Sequence, residues 1–226
     1  MFKGKFAVLT LVVVAVALSW SFMPASVHTA YSGVVDPCLY TATMAAGPFC
    51  MVADLVGGGD RLRDLGATIT VVVHDQFDVG IPDIPAADFW VIGCSDGLVL
   101  CGGAAAANAD SVSSPWPAVL GQTTISARLR VGGCDTGLHV VVQGTVIDEP
   151  GNCGTHLCLP IVVNSTDLNN DLKSNLQDFS LFGQDFPTII NPTPVFNPCL
   201  DYDCTGGPLL GLVDFSIYAQ HFDNEC

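Results

Sequence analysis

From Ala67 to Asp75 the chain reads ATITVVVHD, a β-branched run bounded by Gly66 and by the turn-forming DQFDVGIPDIP. Four further short runs follow: DFWVI (88–92), LVL (98–100), TTISARLRV (123–131) and LHVVVQGTVI (138–147). Each is rich in Val, Ile, Leu or Thr, and Gly, Pro, Asn or Asp separate them, which is the pattern of strands and turns. In TTISARLRV, Ile125, Ala127, Leu129 and Val131 alternate with Ser126, Arg128 and Arg130. Period two with polar partners means one buried face and one wet face. Residues 33–163 therefore predict an antiparallel β-sandwich. Within it Trp90, flanked by Phe89, Val91 and Ile92, reads as core. Trp116, in SSPWPA, reads as exposed and is the residue placed to stack on a sugar ring.

After PIVVN the period changes. LQDFSLFGQDF (176–186) aligns with LVDFSIYAQHF (212–222) at an offset of 36. Apolar residues at 176, 179, 182 and 186, and again at 212, 215, 218 and 222, form a helical stripe. The unit is an acidic loop followed by a short amphipathic helix, occurring twice, with the Pro-rich FPTIINPTPVFNP between the copies.

The N-terminus fixes the compartment in which this works. Lys3 and Lys5 precede the apolar run FAVLTLVVVAVALSW, and small residues follow Pro24. That is the layout of a secretory signal peptide over residues 1–32, and a cut after Ser32 leaves Ala30 at the third position back. All ten cysteines lie beyond it. An even number in an exported chain predicts disulfides, and Cys94 with Cys101 is the pairing a short loop closes most easily. No later run is long and apolar enough to span a bilayer. The expected location is extracellular or at the cell surface.

Charge narrows the partners. The chain has 22 acidic residues against seven bases, for a net charge of −15, and −17 once Lys3 and Lys5 leave with the leader. Nucleic acid needs a basic face and is excluded on that ground; cations are the natural counterpart.

The acids are spaced for one. Calcium takes six to eight oxygens, and the EF-hand loop supplies them from positions 1, 3, 5, 7, 9 and 12. Counted from Asp167 in DLNNDLKSNLQDF, those are Asp167, Asn169, Asp171, the Lys173 carbonyl, Asn175 and Asp178. Position 6 usually carries glycine for the sharp turn; here Leu172 must take a left-handed conformation, at about 1 kcal/mol. The second loop has two open registers. An ungapped alignment starts at Asp203 and puts Gly207, Leu209 and Gly211 at ligand positions, a dead site. Two inserted residues start it at Asp201, with Asp203, Thr205 and Asp214 as further ligands and Gly206 at the turn.

Two resemblances follow. GATITVVVHDQFDVGIPDIPAADFWV with TTISARLRVGG resembles the bacterial immunoglobulin-like domains of exported and surface proteins, which implies a non-catalytic spacer or binding sandwich. DLNND, SNLQDF and the degenerate DYDCTGG…LVDF resemble a type I dockerin over residues 164–226. That resemblance implies Ca2+ in both loops and docking onto a cohesin domain, which anchors the host in an assembly or on a surface. The family's partner-reading loop positions 10 and 11, often Ser or Thr, are Leu176 and Gln177, then Leu212 and Val213 here. The expected whole is mainly β with a small α-helical module carrying two calcium loops. Its function is attachment; a carbohydrate-binding or accessory role in polysaccharide degradation is the alternative.

Catalysis is not expected. GCSDG (93–97) matches the serine-hydrolase elbow, but that motif needs a helix after it and LVLCGG follows. His74, His139, His156 and His221 are scattered, with no paired spacing on a helix.

Overall fold

Turn residues cut the β-branched runs short, and a computed structural model shows strands of two to five residues. It describes residues 36–47, 49–185, 197–205 and 210–226. The leader, most of the Pro-rich stretch and Gly206 lie outside the described residues. In order the strands are β1 (Thr41–Thr43), β2 (Phe49–Ala53), β3 (Ile69–Val72), β4 (Phe89–Gly93), β5 (Leu98–Leu100), β6 (Gln122–Ile125), β7 (Val131–Asp135), β8 (Leu138–Val142), β9 (Thr145–Val146), β10 (Asp148–Glu149), β11 (Asn152–His156) and β12 (Ile161–Ser165). Helices α1 (Leu176–Asp185) and α2 (Leu212–Gln220) follow. The chain is thus mainly β, with several sheets and two helices.

β3 lies between β1 and β6, antiparallel to both. β4 pairs with β8, which turns through Gln143 and Gly144, both at positive φ, into β9; such two-residue turns match the twist of a hairpin. The four-stranded sheet runs β2-β12-β7-β5. It departs from the all-antiparallel expectation, because β12 pairs with β2 in parallel from Ile161↔Phe49 to Ser165↔Ala53. A parallel pair needs a long crossover, and here the crossover is the chain that builds the other sheets.

Three sequence expectations are corrected. TTISARLRV is not one strand: β6 ends at Ile125 and β7 begins at Val131. Trp90 is only half-buried, since the alternation of β4 turns Phe89 and Val91 inward and Trp90 the other way. Cys94 does not pair with Cys101. β4 and β5 belong to different sheets, and the bonds are Cys38–Cys153, Cys50–Cys204, Cys94–Cys158, Cys101–Cys226 and Cys134–Cys199. No cysteine is left free. Five such bonds mark a chain suited to an oxidising, extracellular-type environment. No helix among the described residues is long and apolar enough to cross a membrane.

Gly33–Cys226 is one compact unit, with two apolar clusters. The larger draws Met51, Val71, Phe89, Val140 and Val163, among others, from three of the sheets. The smaller joins Phe182, Leu200, Tyr202, Leu210 and Tyr218 to Val52. β2 serves both, because period two sends Met51 and Ala53 one way and Val52 the other. The helical tail therefore packs on the outer face of the β2-β12-β7-β5 sheet.

Candidate metal centre

The first acidic loop leaves β12 at Ser165 and ends in α1. Leu172 sits at φ 63° and Asn170 at φ 64°, so the sharp turn that usually takes glycine is made by leucine. Asp167 is fully buried. Its Oδ1 accepts the Asp171 N–H at 3.2 Å and its Oδ2 the Leu172 N–H at 2.9 Å. Asp178, also fully buried, closes the loop: Oδ1 accepts N–H groups from Leu168 (2.8 Å) and Asn169 (3.1 Å), and Oδ2 accepts from Asn175 (2.9 Å). Asn175 is the N-cap of α1, its Oδ1 taking the Gln177 N–H at 2.7 Å. Asp178, at N3, accepts the Asn175 N–H in return, so the two residues cap the helix from both directions. Asn169 Oδ1 accepts the Asp171 N–H at 3.0 Å, and Asp171 Oδ1 accepts the Lys173 N–H at 3.0 Å.

Asp167, Asp171 and Asp178 each offer an oxygen within 4.8 Å of the others. Asn169 borders them, its amide nitrogen on Asp171 Oδ2 at 3.2 Å. Asn175 is engaged as a cap, and the Lys173 side chain points to Glu225 at 3.6 Å. Burial pushes the Asp167 carboxyl up to about 6; the Leu172 N–H opposes that rise and the Asp178 charge adds to it. Gathered carboxylates of one sign repel, and this arrangement is eased by a cation.

The second loop repeats the pattern. The Thr205 N–H bonds to Asp201 Oδ1 (3.3 Å) and Asp203 Oδ1 (3.1 Å), as Asp171 does to Asp167 and Asn169. The N–H of Asp203 bonds to Asp214 Oδ1 (3.1 Å) and that of Gly211 to Asp214 Oδ2 (2.7 Å), as Asn169 and Asn175 do to Asp178. These bonds fall in the register that starts at Asp201. Cys204, at φ 57°, stands where Asn170 does. Asp201, Asp203 and Asp214 again bring oxygens within 4.8 Å; Thr205 is exposed at their edge.

The strands supply what the loops alone do not show. Gly133 donates its N–H to the Asp167 carbonyl at 2.7 Å. A Cβ on Gly132 would strike the Asp167 carboxylate, and one on Gly133, at φ 83°, would strike Asn170. Two glycines in β7 thus let the first loop lie directly on the sheet. The Asn164 amide, fully buried, donates to the carbonyls of Pro198 (3.1 Å) and Asp201 (2.9 Å), so the NST sequon there points into the protein. The last residues zip onto the first loop: Ser174 N–H to Asn224 O at 2.8 Å, Asp223 N–H to Ser174 O at 2.7 Å and Cys226 N–H to Leu172 O at 3.2 Å. Buried Asp54 holds this segment, accepting from Gly58 N–H (2.7 Å) and the Asn224 amide (2.8 Å), with His221 Nδ1 at 3.5 Å. Burial alone would raise the Asp54 carboxyl; the bonds from His221, Gly58 and Asn224 outweigh it and hold the group down at about 2. The sequence reading found none of these contributors; the Gly132-Gly133 pair next to a strand run is the one local signal that could have pointed to a close approach.

Across the pair of helices, Phe182 stacks on Tyr218 at 5.0 Å and Phe179 meets Phe215 edge-on at 6.2 Å. The stripe expected to face inward is only partly covered. Phe182 and Tyr218 are buried, but Leu176 and Leu212 are 74% and 79% exposed. Leu176, Phe179, Phe215, Tyr218, Ala219 and Phe222 line an open groove of about 250 Å³.

No family model matches the chain, and no curated protein matches it. Among solved structures, the crystal structure of the Lin-41 filamin domain matches over 57% of this chain and 97% of that one, at 14% identity and a TM-score of 0.28. A likeness that loose carries neither a fold assignment nor a property across.

Proposed function

We propose that this is an exported, non-catalytic calcium-binding protein. In this reading an immunoglobulin-like sandwich carries a dockerin-like tail, and the tail attaches it to a partner protein or a surface. The carrying observation is the shared hydrogen-bond pattern of the two loops, each converging three carboxylates within 4.8 Å. Both loops use oxygen-only side chains, the donor set of a hard cation, and neither offers sulfur or imidazole at the cluster. Asp167, Asn169, Asp171, Asp178 and the Lys173 carbonyl would hold the first ion, with Asn175 facing it from the cap. Asp201, Asp203, Thr205 and Asp214 would hold the second. The ions would lock each helix to its loop, and the locked pair presents the exposed Leu176, Leu212, Phe179 and Phe215 face to a cohesin-like domain.

Calorimetric titration of the mature chain with calcium tests this. Two binding events are expected, one lost in Asp167→Asn and the other in Asp201→Asn. Absence of heat and of any thermal shift with millimolar calcium would sink the reading. A second reading, carbohydrate binding, draws on Trp116, which is 72% exposed beside Pro115 and Pro117. Retention on insoluble polysaccharide that Trp116→Ala abolishes would favour it.

A further inference from the structure

The triplet Arg-Leu-Arg occurs twice, at 61–63 and 128–130, and these two copies contain every arginine of the chain. Leu62 and Leu129 are 0% and 1% exposed in the sandwich core, so alternation turns the flanking arginines outward. An antiparallel bridge between Arg61 and Arg128 lays the triplets side by side. All four arginines consequently line one cleft of about 440 Å³, with Ser126 and Asp110 on its wall.

In a chain with 22 acidic residues, such arginines have carboxylates to choose from. Among the described residues only Arg63 takes one, Asp64 at 3.5 Å, and that pair is exposed. Arg61, Arg128 and Arg130 form no ion pair. Two of them are instead tied by their inner nitrogens: Arg128 Nε donates to the Gly59 carbonyl at 2.6 Å and Arg130 Nε to the Leu55 carbonyl at 3.1 Å. Those bonds, with a further one from an outer Arg130 nitrogen to Cys101 Sγ at 3.5 Å, fix the side chains without bringing a carboxylate into ion-pair distance. Like charges held close repel, and an oxyanion lying among them offsets that repulsion through forked, charge-assisted hydrogen bonds.

We propose that this cleft binds the carboxylate or sulfate ester of an acidic saccharide. Its size suits a small ligand unit. Asp110 would oppose the anionic group itself but accepts hydrogen bonds from neighbouring hydroxyls, which a sugar carries and a bare anion lacks. A peptide would want an apolar anchor, and the only apolar side chain on the wall is Ala127. The surrounding negative charge disfavours a long polyanion, whereas salt screening over about 8 Å leaves the cleft locally positive. The site is separate from the calcium loops, so it stands or falls independently of them.

The test is calorimetry on the mature chain in about 0.15 M salt without added calcium. Four ligands are compared: tri-galacturonate, a sulfated galactose trisaccharide, uncharged galactotriose and tri-glutamate. One or both acidic sugars bind, galactotriose does not, and Arg63→Gln/Arg128→Gln weakens binding about tenfold or more. Whichever acidic sugar binds better identifies carboxylate or sulfate as the recognised group. Arg63→Gln alone, which loses only an exposed ion pair, serves if the double variant fails to fold; about a threefold loss is expected. The proposal is overturned if neither acidic sugar binds, if tri-glutamate binds as tightly, or if folded variants keep full affinity.

Discussion

The two acidic loops share one hydrogen-bond scheme but are held by different means. The first contains no cysteine. It rests on Gly132 and Gly133 of β7 and is zipped to residues 223–226 by backbone bonds. The second is stapled to the β2-β12-β7-β5 sheet on both sides of Asp201, by Cys134–Cys199 and Cys50–Cys204. The first also buries its opening and closing carboxylates completely, whereas Asp201 and Asp214 keep 8% and 3% exposure. The first loop is thus held directly by packing and hydrogen bonds, with one covalent anchor at the far end of its cover, Cys101–Cys226, whereas the second carries two disulfides of its own. The middle carboxylate runs the other way, Asp171 being exposed and Asp203 half-buried, so the first loop should gain more from an ion only at its opening and closing positions, where burial is complete.

The widest effect should come from the staples. Replacing Cys50 and Cys204 together by serine should cost about 2–5 kcal/mol in urea unfolding and weaken calcium at the second loop while sparing the first. Equal weakening at both loops would break the contrast. Next comes chelation. With calcium at 100 times its dissociation constant, one site adds about 2.7 kcal/mol, which for a chain of this size moves the thermal midpoint by about 5–10 °C. Asp167→Asn should remove more of that shift than Asp201→Asn, as calorimetric scans of the two variants would show.

Acid gives a smaller effect. The Asp54 carboxyl lies at about 2 in the folded chain against an ordinary 3.8. A depressed carboxyl stabilises above its unfolded value and loses that contribution as pH falls, here between about pH 4 and pH 2. The shift amounts to roughly 2 kcal/mol. Asp54→Asn should therefore lower stability at pH 6 and match the wild type near pH 2, read by urea unfolding at both values. The smallest effect is expected at Leu172. A left-handed leucine costs about 1–2 kcal/mol, and the looser unfolded chain of a glycine variant returns about 0.5–1 of that. Leu172→Gly should gain about 0.5–1 kcal/mol and sharpen the first loop alone, so an equal gain at the second would argue against separate control.

How much of this was readable from sequence differs by element. β3, β4, β5 and β8 were legible because their β-branched residues pack on a half-buried sheet. β11 was not: all five of its residues are exposed, so it has no apolar alternation to read. The run at 126–130 looked like strand because Leu129 is indeed buried. Its arginines, however, reach the Gly59 and Leu55 carbonyls, and the segment leaves the ladder. The helices were legible from their repeat, and the first loop from its oxygen spacing. Connectivity of the cysteines was not, since it depends on which strands become neighbours across up to 154 residues. Asp54, Asn224 and the cover on the loops were hidden for the same reason: they are long-range partners with no local pattern.

The three crosslinks from the tail end at Cys50 in β2, Cys134 in β7 and Cys101 just after β5. All three anchors lie on or beside the sheet whose outer face carries the helices. Load applied to the far end of α2 would pass through Cys226 and its bond to Cys101 into residues beside β5. The force needed to peel α2 away should therefore be set by the strands it is bonded to rather than by its own small core.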